Sequence, residues 1–509
     1  MLRRMFDQRQ SGILLHPSSL PSRYGIGSIG QPARDFVKEL VSMGQTLWQM
    51  LPLGPTGYGD SPYAPLSSFA GNPLLIDLDD LVADGLLDAS ALADYPTGDP
   101  RRVDYEQIQP VHMGLLDTVA AGFDARAKKT RLAAFRKFVK TTPWLADYAL
   151  YAALKQQHDL RPWYEWPEGL RKRDTAALAD ARSSLAKEIY TIEVQQFLFQ
   201  HQWQQLRKAC ANKGIRVVGD LPIFVARDSA DAWARPELFL LDEELQPTVV
   251  AGVPPDYFSE DGQLWGNPLY DWPHHKETGY AWWIDRLTFL LAQFDIVRID
   301  HFRGFEAYWA VPFGDINARG GTWEPGPDHD FFQAIQDQLG HLPIIAEDLG
   351  IITDAVDRLR DDFALPGMRV LHFCFGEHQP DHLKPENFPE NCIVYTGTHD
   401  NDTTRGWFHA QPGLHNSASQ EELDTERERL KHHLHTDGEE IEWDLIRLAL
   451  NTRCHTAMIP MQDVLSLGSE ARMNVPGVTF GNWQWRMLGS ELSARARERL
   501  RSLSSAAGR

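Results

Sequence analysis

The stretch DIVRIDHFRG (residues 295–304) begins as an apolar, β-branched run and ends in charged residues. A short run of this kind, bounded by polar residues, is typical of a buried strand in a parallel sheet. Seven further apolar runs occur along the chain. They are GILLH from Gly12, LWQMLPL from Leu47, IRVVGDLP from Ile215, LPIIAED from Leu342, MRVLHF from Met368, CIVYTG from Cys392 and TAMIPMQD from Thr456.

Eight such runs, separated by longer helical or irregular stretches, predict an α/β protein with a (β/α)8 TIM-type barrel. The active site of such a barrel lies at the C-terminal ends of its strands. A doubly wound open sheet is the main alternative, because periodicity alone does not distinguish the two. We expect one catalytic barrel domain over residues 1–509.

Two long intervals between the runs predict insertions. Residues 74–212 contain amphipathic stretches such as WLADYALYAALKQ from Trp144, which favour a helical insertion subdomain beside the barrel. Residues 224–279 are rich in Pro, Gly and aromatic residues, and we interpret them as a long loop insertion near the active site.

Charge and composition exclude several classes of protein. The formal net charge is -20, with 50 Lys and Arg against 70 Asp and Glu. A nucleic-acid partner is not expected, because that binding depends on clustered cations. The first residues, MLRRMFDQRQSG, lack the apolar run of a signal peptide, and no apolar stretch long enough to span a membrane follows. With four cysteines and no CxxC pair, the chain is predicted to be cytoplasmic.

No cofactor or metal is predicted. The 19 histidines form no HExxH motif, and their doublets lack partners at metal-ligand spacing. GIGSIG, from Gly25 to Gly30, matches the dinucleotide pattern GxGxxG. However, the Pro- and Ser-rich loop HPSSLPSRY separates it from the preceding strand, and the next strand ends in LPLGP without the required acidic residue.

Three acidic residues follow three different predicted strands: Asp300, Glu347 and Asp400. Glycoside chemistry with retention needs one carboxylate to attack the anomeric carbon and one carboxylic acid to protonate the leaving oxygen, about 5 to 5.5 Å apart. Taken singly, each acid could instead cap a helix or pair with Arg298 or Arg303. Together, the three acids can supply the nucleophile, the acid and a helper.

The segments around these acids resemble a known family. VRIDHFRG, IIAEDLG and TGTHDND resemble the catalytic segments of 4-α-glucanotransferases, and more narrowly of the amylomaltase or disproportionating-enzyme family in the α-amylase superfamily. Further matching segments occur in the same order, so that the resemblance spans about Gly12 to Trp485. They are GILLHPSSLPSRYGIGSIG, LPLGPTGYGDSPYAP, GDLPIFVARDSADAW, AGVPPDYFSEDGQLWGNPLY and NVPG.

The resemblance implies a role for each acid. Asp300 would be the nucleophile, Glu347 the general acid/base and Asp400 the residue that stabilises the transition state. Arg298 would orient Asp300 and keep it ionised by lowering its pKa, whereas burial or a neighbouring negative charge would raise the pKa of Glu347. His301 and His399 are expected to bind sugar hydroxyls; further expected substrate-binding residues are Tyr63, Ser61, Asp60, Asp256, Tyr257, Phe258, Gln263, Trp265, Asn267, Asn474, Pro476 and Gly477.

The resemblance implies an enzyme that transfers segments of α-1,4-glucans to the 4-hydroxyl of an acceptor glucan or glucose. Its donor and acceptor would be α-1,4-glucans or maltooligosaccharides. An α-1,4-glucan hydrolase is one alternative, because it would share the three acids but admit water to the acceptor site. A catalytically idle sugar-binding protein on the same barrel is the other. The presence of all three acids argues against the idle protein.

Overall fold

The computed structural model describes residues 8–255, 260–376, 380–413 and 419–509. Within these ranges the chain forms twelve strands. They are β1 (Gln10–Leu14), β2 (Leu47–Gln49), β3 (Arg216–Pro222), β4 (Val249–Val253), β5 (Gln263–Pro268), β6 (Ile296–Asp300), β7 (Ala307–Pro312), β8 (Thr322–Pro325), β9 (Ile344–Ala346), β10 (Gly367–Val370), β11 (Cys392–Tyr395) and β12 (Thr456–Pro460).

Eight strands form one parallel sheet in the order β10-β11-β12-β1-β2-β3-β6-β9. Its two outer strands meet, because the Ala346 N–H donates to the Pro366 carbonyl over 2.9 Å, one residue before β10. The sheet therefore closes into a barrel. Its strands are the eight predicted runs, so the predicted TIM-type fold is confirmed and the open sheet is wrong.

Helices surround the barrel and fill the long connections; in the described ranges they are α1 (Gln31–Ser42), α2 (Leu78–Ala83), α3 (Tyr105–Arg126), α4 (Lys129–Thr141), α5 (Leu145–Gln157), α6 (Glu168–Arg171), α7 (Thr175–Ser184), α8 (Ala186–Asn212), α9 (Ala230–Ala234), α10 (Trp272–Glu277), α11 (Ala281–Gln293), α12 (Asp328–Leu339), α13 (Asp354–Asp362), α14 (Thr404–Phe408), α15 (Gln420–Leu434), α16 (Ile441–Asn451), α17 (Met461–Val464) and α18 (Ala494–Ala506). None of the described helices is both long and apolar enough to cross a membrane.

The interval 74–212 holds the seven helices α2 to α8. The last of these, α8, packs against α1 and leads into β3. Its side chains Trp203, Leu206 and Cys210 are buried. This helix therefore also covers the barrel wall, and the division of the chain into a barrel with separate insertions stays a prediction.

The interval 224–279 contains two strands where the sequence suggested only a long loop. β4 and β5 pair antiparallel with each other, and β4 also pairs with β7, so that a second sheet forms in the order β5-β4-β7-β8. Its strands β7 and β8 come from the connection after β6. The pairing partner of β4 is thus distant in sequence, and local periodicity gives no sign of it. Small and apolar side chains, Val250, Val311 and Ala318, form its separate core.

Candidate active site

Polar residues at the C-terminal ends of the barrel strands converge on one face. β3 and β6 lie side by side, with Asp220 opposite Arg298 and Pro222 opposite Asp300. Glu347 directly follows β9. Because parallel strands end at the same rim, their last residues share one cleft.

Arg298 links the nucleophile candidate to a second buried acid. Its Nη2 donates to Asp300 Oδ1 over 2.8 Å, while Nη1 donates to both Asp220 oxygens over 2.8 and 2.7 Å. The Tyr63 hydroxyl also donates to Asp220 Oδ2, over 2.8 Å. Side chains of Arg298 and Asp220 are almost fully buried, whereas 31% of the Asp300 side chain is exposed. The guanidinium therefore fixes Asp300 while leaving part of its carboxylate open to the cleft.

Glu347 is held against the same strand end. Its Oε2 accepts from the backbone N–H of His301 over 2.7 Å, and its Oε1 accepts from that of Leu349 over 3.0 Å. His301 has a φ of +53°, in the left-handed region, which costs a residue other than glycine about 1 kcal/mol. The hydrogen bond from the amide next to Asp300 holds the Glu347 carboxyl group close enough for the charge of Asp300 to act on it.

Burial determines the protonation of this acid pair. It raises the pKa of Glu347 to about 8, and the charge of Asp300 adds to the rise. Burial also raises the pKa of Asp300, and the charges of Asp220 and Asp400 act in the same direction. From the sequence, Arg298 is expected to lower the pKa of Asp300. It does act in that direction, but burial has the larger influence. Since Arg298 donates directly to Asp300, the proton shared by the pair resides on Glu347.

Asp400 approaches from the end of β11 together with His399. The His399 Nε2 lies 3.3 Å from Asp400 Oδ1, and the Asn474 amide donates to the same oxygen over 2.7 Å. The ring of His399 stacks on that of Tyr63, with centroids 4.9 Å apart. Asp400 is thereby joined to the network that includes Asp220 and Arg298.

These three acids on one barrel rim can be compared with known proteins. The 4-alpha-glucanotransferase family model matches residues 15–491. The chain belongs to this family. Its sequence is 48% identical to the 4-alpha-glucanotransferase of Thermus thermophilus, over 98% of this chain and 99% of that one. It is also 46% identical to the Synechocystis 4-alpha-glucanotransferase, over 96% of each chain.

A solved structure supports the same assignment. The amylomaltase from Streptococcus agalactiae, determined in complex with acarbose, superposes with a TM-score of 0.93 at 36% identity. The match covers 99% of this chain and 100% of that one. The chain is therefore an enzyme of the 4-alpha-glucanotransferase type, and neither the hydrolase nor the idle binding protein is favoured.

The aromatic residue predicted on the acceptor side of this 4-alpha-glucanotransferase lies beside the acids. The indole of Trp265 on β5 contacts the His301 ring edge-on, with centroids 4.8 Å apart, and 37% of the residue is exposed. Its Nε1 donates to Gln263 Oε1 over 3.1 Å. Asn267, in contrast, donates to the Val225 carbonyl over 2.8 Å and so stabilises the loop after β3.

Other predicted binding residues are placed less directly. The Ser61 Oγ accepts from the N–H of Tyr63 over 3.2 Å and so shapes the turn before that tyrosine. Burial raises the pKa of Asp60, and the charge that adds to the rise is that of Glu106 on α3. Pro476 and Gly477 lie in an exposed turn after Asn474. Asp256, Tyr257 and Phe258 lie outside the described residues, and their predicted role stays a prediction.

Asp220 is the main site residue to which the sequence assigned no role. It lies in β3, two residues before the strand ends at Pro222, and no motif assigned it a partner. The structure places its carboxylate between Arg298 on β6 and Tyr63 in the segment after β2. The available signal was an acidic residue near the C-terminal end of a buried strand, in a barrel of the 4-alpha-glucanotransferase family.

Proposed function

We propose that this enzyme moves segments of α-1,4-glucans onto the 4-hydroxyl of another glucan or of glucose through a covalent glycosyl-enzyme on Asp300. Glu347 acts as the general acid/base, and Asp400 stabilises the transition state. One observation carries the proposal: Glu347 accepts a hydrogen bond from the amide of the residue next to Asp300. This contact brings an acid with a raised pKa beside a carboxylate held by an arginine, as a retaining mechanism requires.

In the first step, an Asp300 oxygen forms a bond to the anomeric carbon while the glycosidic C–O bond breaks. Glu347 transfers its proton to the departing glycosidic oxygen. Esterification removes the negative charge of Asp300, which contributes to the raised pKa of Glu347. The pKa of Glu347 then falls, and its carboxylate becomes the better base that the second step needs.

In the second step, the acceptor 4-hydroxyl gives its proton to Glu347 and attacks the anomeric carbon. The ester bond to Asp300 breaks, and the new glycosidic bond has the original α configuration. Asp220 is not consumed in either step; through Arg298 it keeps the nucleophile oriented. The mechanism therefore uses only side chains of this chain and the two sugars.

Histidines of the cleft are suited to binding sugar hydroxyls. Burial lowers the pKa of His301 to about 3, so its ring is neutral at physiological pH. The Nε2 atom has no hydrogen-bond partner within the described ranges. A neutral imidazole nitrogen can donate to or accept from a hydroxyl. Tyr63 and His399 are proposed to line the sugar-binding side, and Trp265, with the segment 256–258, the acceptor side.

The compartment that fits this enzyme is the cytoplasm. All four cysteines are unpaired and buried, as expected where thiols are kept reduced. The glucan donor and acceptor would then come from intracellular α-1,4-glucan or maltooligosaccharides.

The test is a product assay with maltotriose and two matched variants. The parent should yield glucose together with longer maltooligosaccharides, whereas glucose and maltose alone would indicate hydrolysis. Asp300→Asn should reduce turnover by at least about 10³-fold while sugar binding and the fold persist. Asp295→Asn is the control, because Asp295 lies directly before the same strand, at the end opposite Asp300, and pairs with Arg207. Residual Asp300→Asn activity within tenfold of the control would refute the proposed nucleophile.

A further inference from the structure

A buried carboxylate, that of Asp463, accepts hydrogen bonds from the segment that contains Asp400. Asp463, in α17 just after β12, is 1% exposed. Its Oδ2 accepts from the Thr396 hydroxyl over 2.5 Å and from the Thr404 hydroxyl over 2.8 Å. Its Oδ1 accepts from the Thr404 backbone N–H over 2.8 Å. One side chain thus satisfies three donors that come from another part of the chain.

The positions of these donors are informative. Thr396 is the first residue after β11, and Thr404 is the first residue of α14. Asp463 therefore binds both ends of the segment 396–404, in which His399 and Asp400 lie between the two anchors. A loop fixed at both ends has far fewer conformations open to it than one fixed at a single end.

The hydrogen-bond directions along this network are consistent with an ionised Asp463. Burial lowers the pKa of His372 to about 3, so the ring is neutral. Its Nε2 lies 3.0 Å from the Thr404 hydroxyl, whose own proton points to Asp463. Nε2–H is then the donor, and the ring is fixed by stacking on Trp407 with centroids 4.5 Å apart. Burial raises the pKa of Asp463 to about 6, and its hydrogen bonds to Thr396 and Thr404 oppose the rise.

Other neighbours also contact the segment: the His372 N–H donates to the Thr396 carbonyl over 3.3 Å, Asn474 donates to Asp400 Oδ1 over 2.7 Å, and Ser469 donates to Asp402 over 2.7 Å. The Thr398 hydroxyl donates to Asn401 over 2.9 Å, within the segment itself. Arg472 donates to the Asp400 carbonyl over 2.7 Å. The link from the segment to the end of β12 is made by Asp463.

We propose that Asp463 is a positioning residue for Asp400, which holds both ends of the segment 396–404 so that the Asp400 carboxylate meets the reacting sugar. Asp463 touches no substrate in this scheme. The inference rests on the proposed function, because it requires Asp400 to act in the transition state. A displacement of about 1 Å at a catalytic group can reduce a rate by about 10²-fold, so anchoring of this kind has a measurable effect.

The first experiment is a double-mutant cycle on the full chain with maltotriose as substrate. Asp463→Asn keeps the side-chain volume but places an amide where hydroxyl groups donate. We expect it to lower kcat by about 10²-fold and to change KM by less than about threefold. In an Asp400→Asn background the same substitution should lower kcat by less than about threefold, because the carboxylate that Asp463 positions is already lost. An equal fold-reduction of kcat in both backgrounds would overturn the inference.

Asp77→Asn is the matched structural control. Asp77 is also a buried aspartate, and it accepts from a hydroxyl, Ser28 Oγ at 2.6 Å, and from a backbone N–H, Asp80 at 2.8 Å. It precedes α2 and has no contact with the segment 396–404. Both aspartate variants should lower the melting temperature, but Asp77→Asn should leave kcat within about twofold of the parent.

A second pair of variants keeps the inference falsifiable if activity in the Asp400→Asn background is too low to measure. Thr396→Val removes one hydroxyl donor to Asp463 at nearly constant volume, whereas Thr396→Ser retains it. Thr396→Val should have a lower kcat than the parent, whereas Thr396→Ser should have a kcat close to that of the parent. Equal activity of the two would overturn the inference while leaving the proposed function intact. Full activity of Asp400→Asn would instead refute the proposed role of Asp400, and this inference with it.

Discussion

The backbone N–H of His301 donates to Oε2 of Glu347 over 2.7 Å, and this bond links the proposed acid/base to the strand that bears the proposed nucleophile. The amide belongs to the residue that follows Asp300, so a shift of β6 would move both catalytic groups together. The left-handed backbone conformation of His301 is retained although it is unfavourable by itself. The distance between nucleophile and acid is therefore set by backbone geometry as well as by side chains.

The protonation of Glu347 predicts an alkaline limit to activity. Its pKa is raised to about 8, and the protonated form is the one that donates. Raising the pH through this value removes the proton, so kcat/KM for maltotriose should be constant around neutrality and fall about tenfold per pH unit at higher pH. α-Glucosyl fluoride is the control donor, because its leaving group needs no proton. The rate of enzyme loading by the fluoride should lack this fall; the same fall for both donors would remove Glu347 from the acid role.

The forked contact of Arg298 predicts that lysine cannot replace it. A lysine has one ammonium group and cannot donate simultaneously to Asp220 and Asp300 in the observed geometry. Arg298→Lys should lower kcat by about 10²-fold or more. Arg207→Lys is the control, since Arg207 makes a two-pronged contact with Asp295 at the other end of β6, over 2.6 and 2.7 Å. Equal kcat in the two variants would contradict the orienting role of Arg298.

The sequence predicted the barrel well because its eight buried strands are short, apolar and clearly bounded. It also pointed to Asp300, Glu347 and Asp400 as acids of one rim, since each ends or follows such a strand, and their catalytic roles stay predictions. It did not reveal the second sheet, because β4 pairs with β7, which lies beyond the strand that ends in Asp300. Nor did it reveal the link through Asp220 or the anchor at Asp463, because hydrogen bonds between distant strand ends leave no local pattern.

The segment 256–258 is predicted to favour sugar over water as the acceptor. A bound hydroxyl in near-attack geometry can have an effective molarity of about 10⁵ M, which exceeds the concentration of water. Replacing Tyr257 and Phe258 together by Ser should weaken acceptor binding and admit water, so the ratio of hydrolysis to transfer should rise. New reducing ends, which only hydrolysis creates, are measured alongside glucose release from maltotriose. An unchanged ratio would show that this segment does not control the choice of acceptor.

In the proposed mechanism, Asp300 forms a covalent bond to the sugar while Glu347 supplies the proton. Glu347→Gln removes the acid, and α-glucosyl fluoride removes the need for it in the first step. The second step should then be slow, because no base activates the acceptor. Intact-protein mass spectrometry of Glu347→Gln after incubation with the fluoride, followed by peptide mapping, detects this bond. We expect one added glucosyl unit per chain, located on Asp300 and absent from Glu347→Gln carrying Asp300→Asn; no adduct, or an adduct on another residue, would refute Asp300 as the nucleophile.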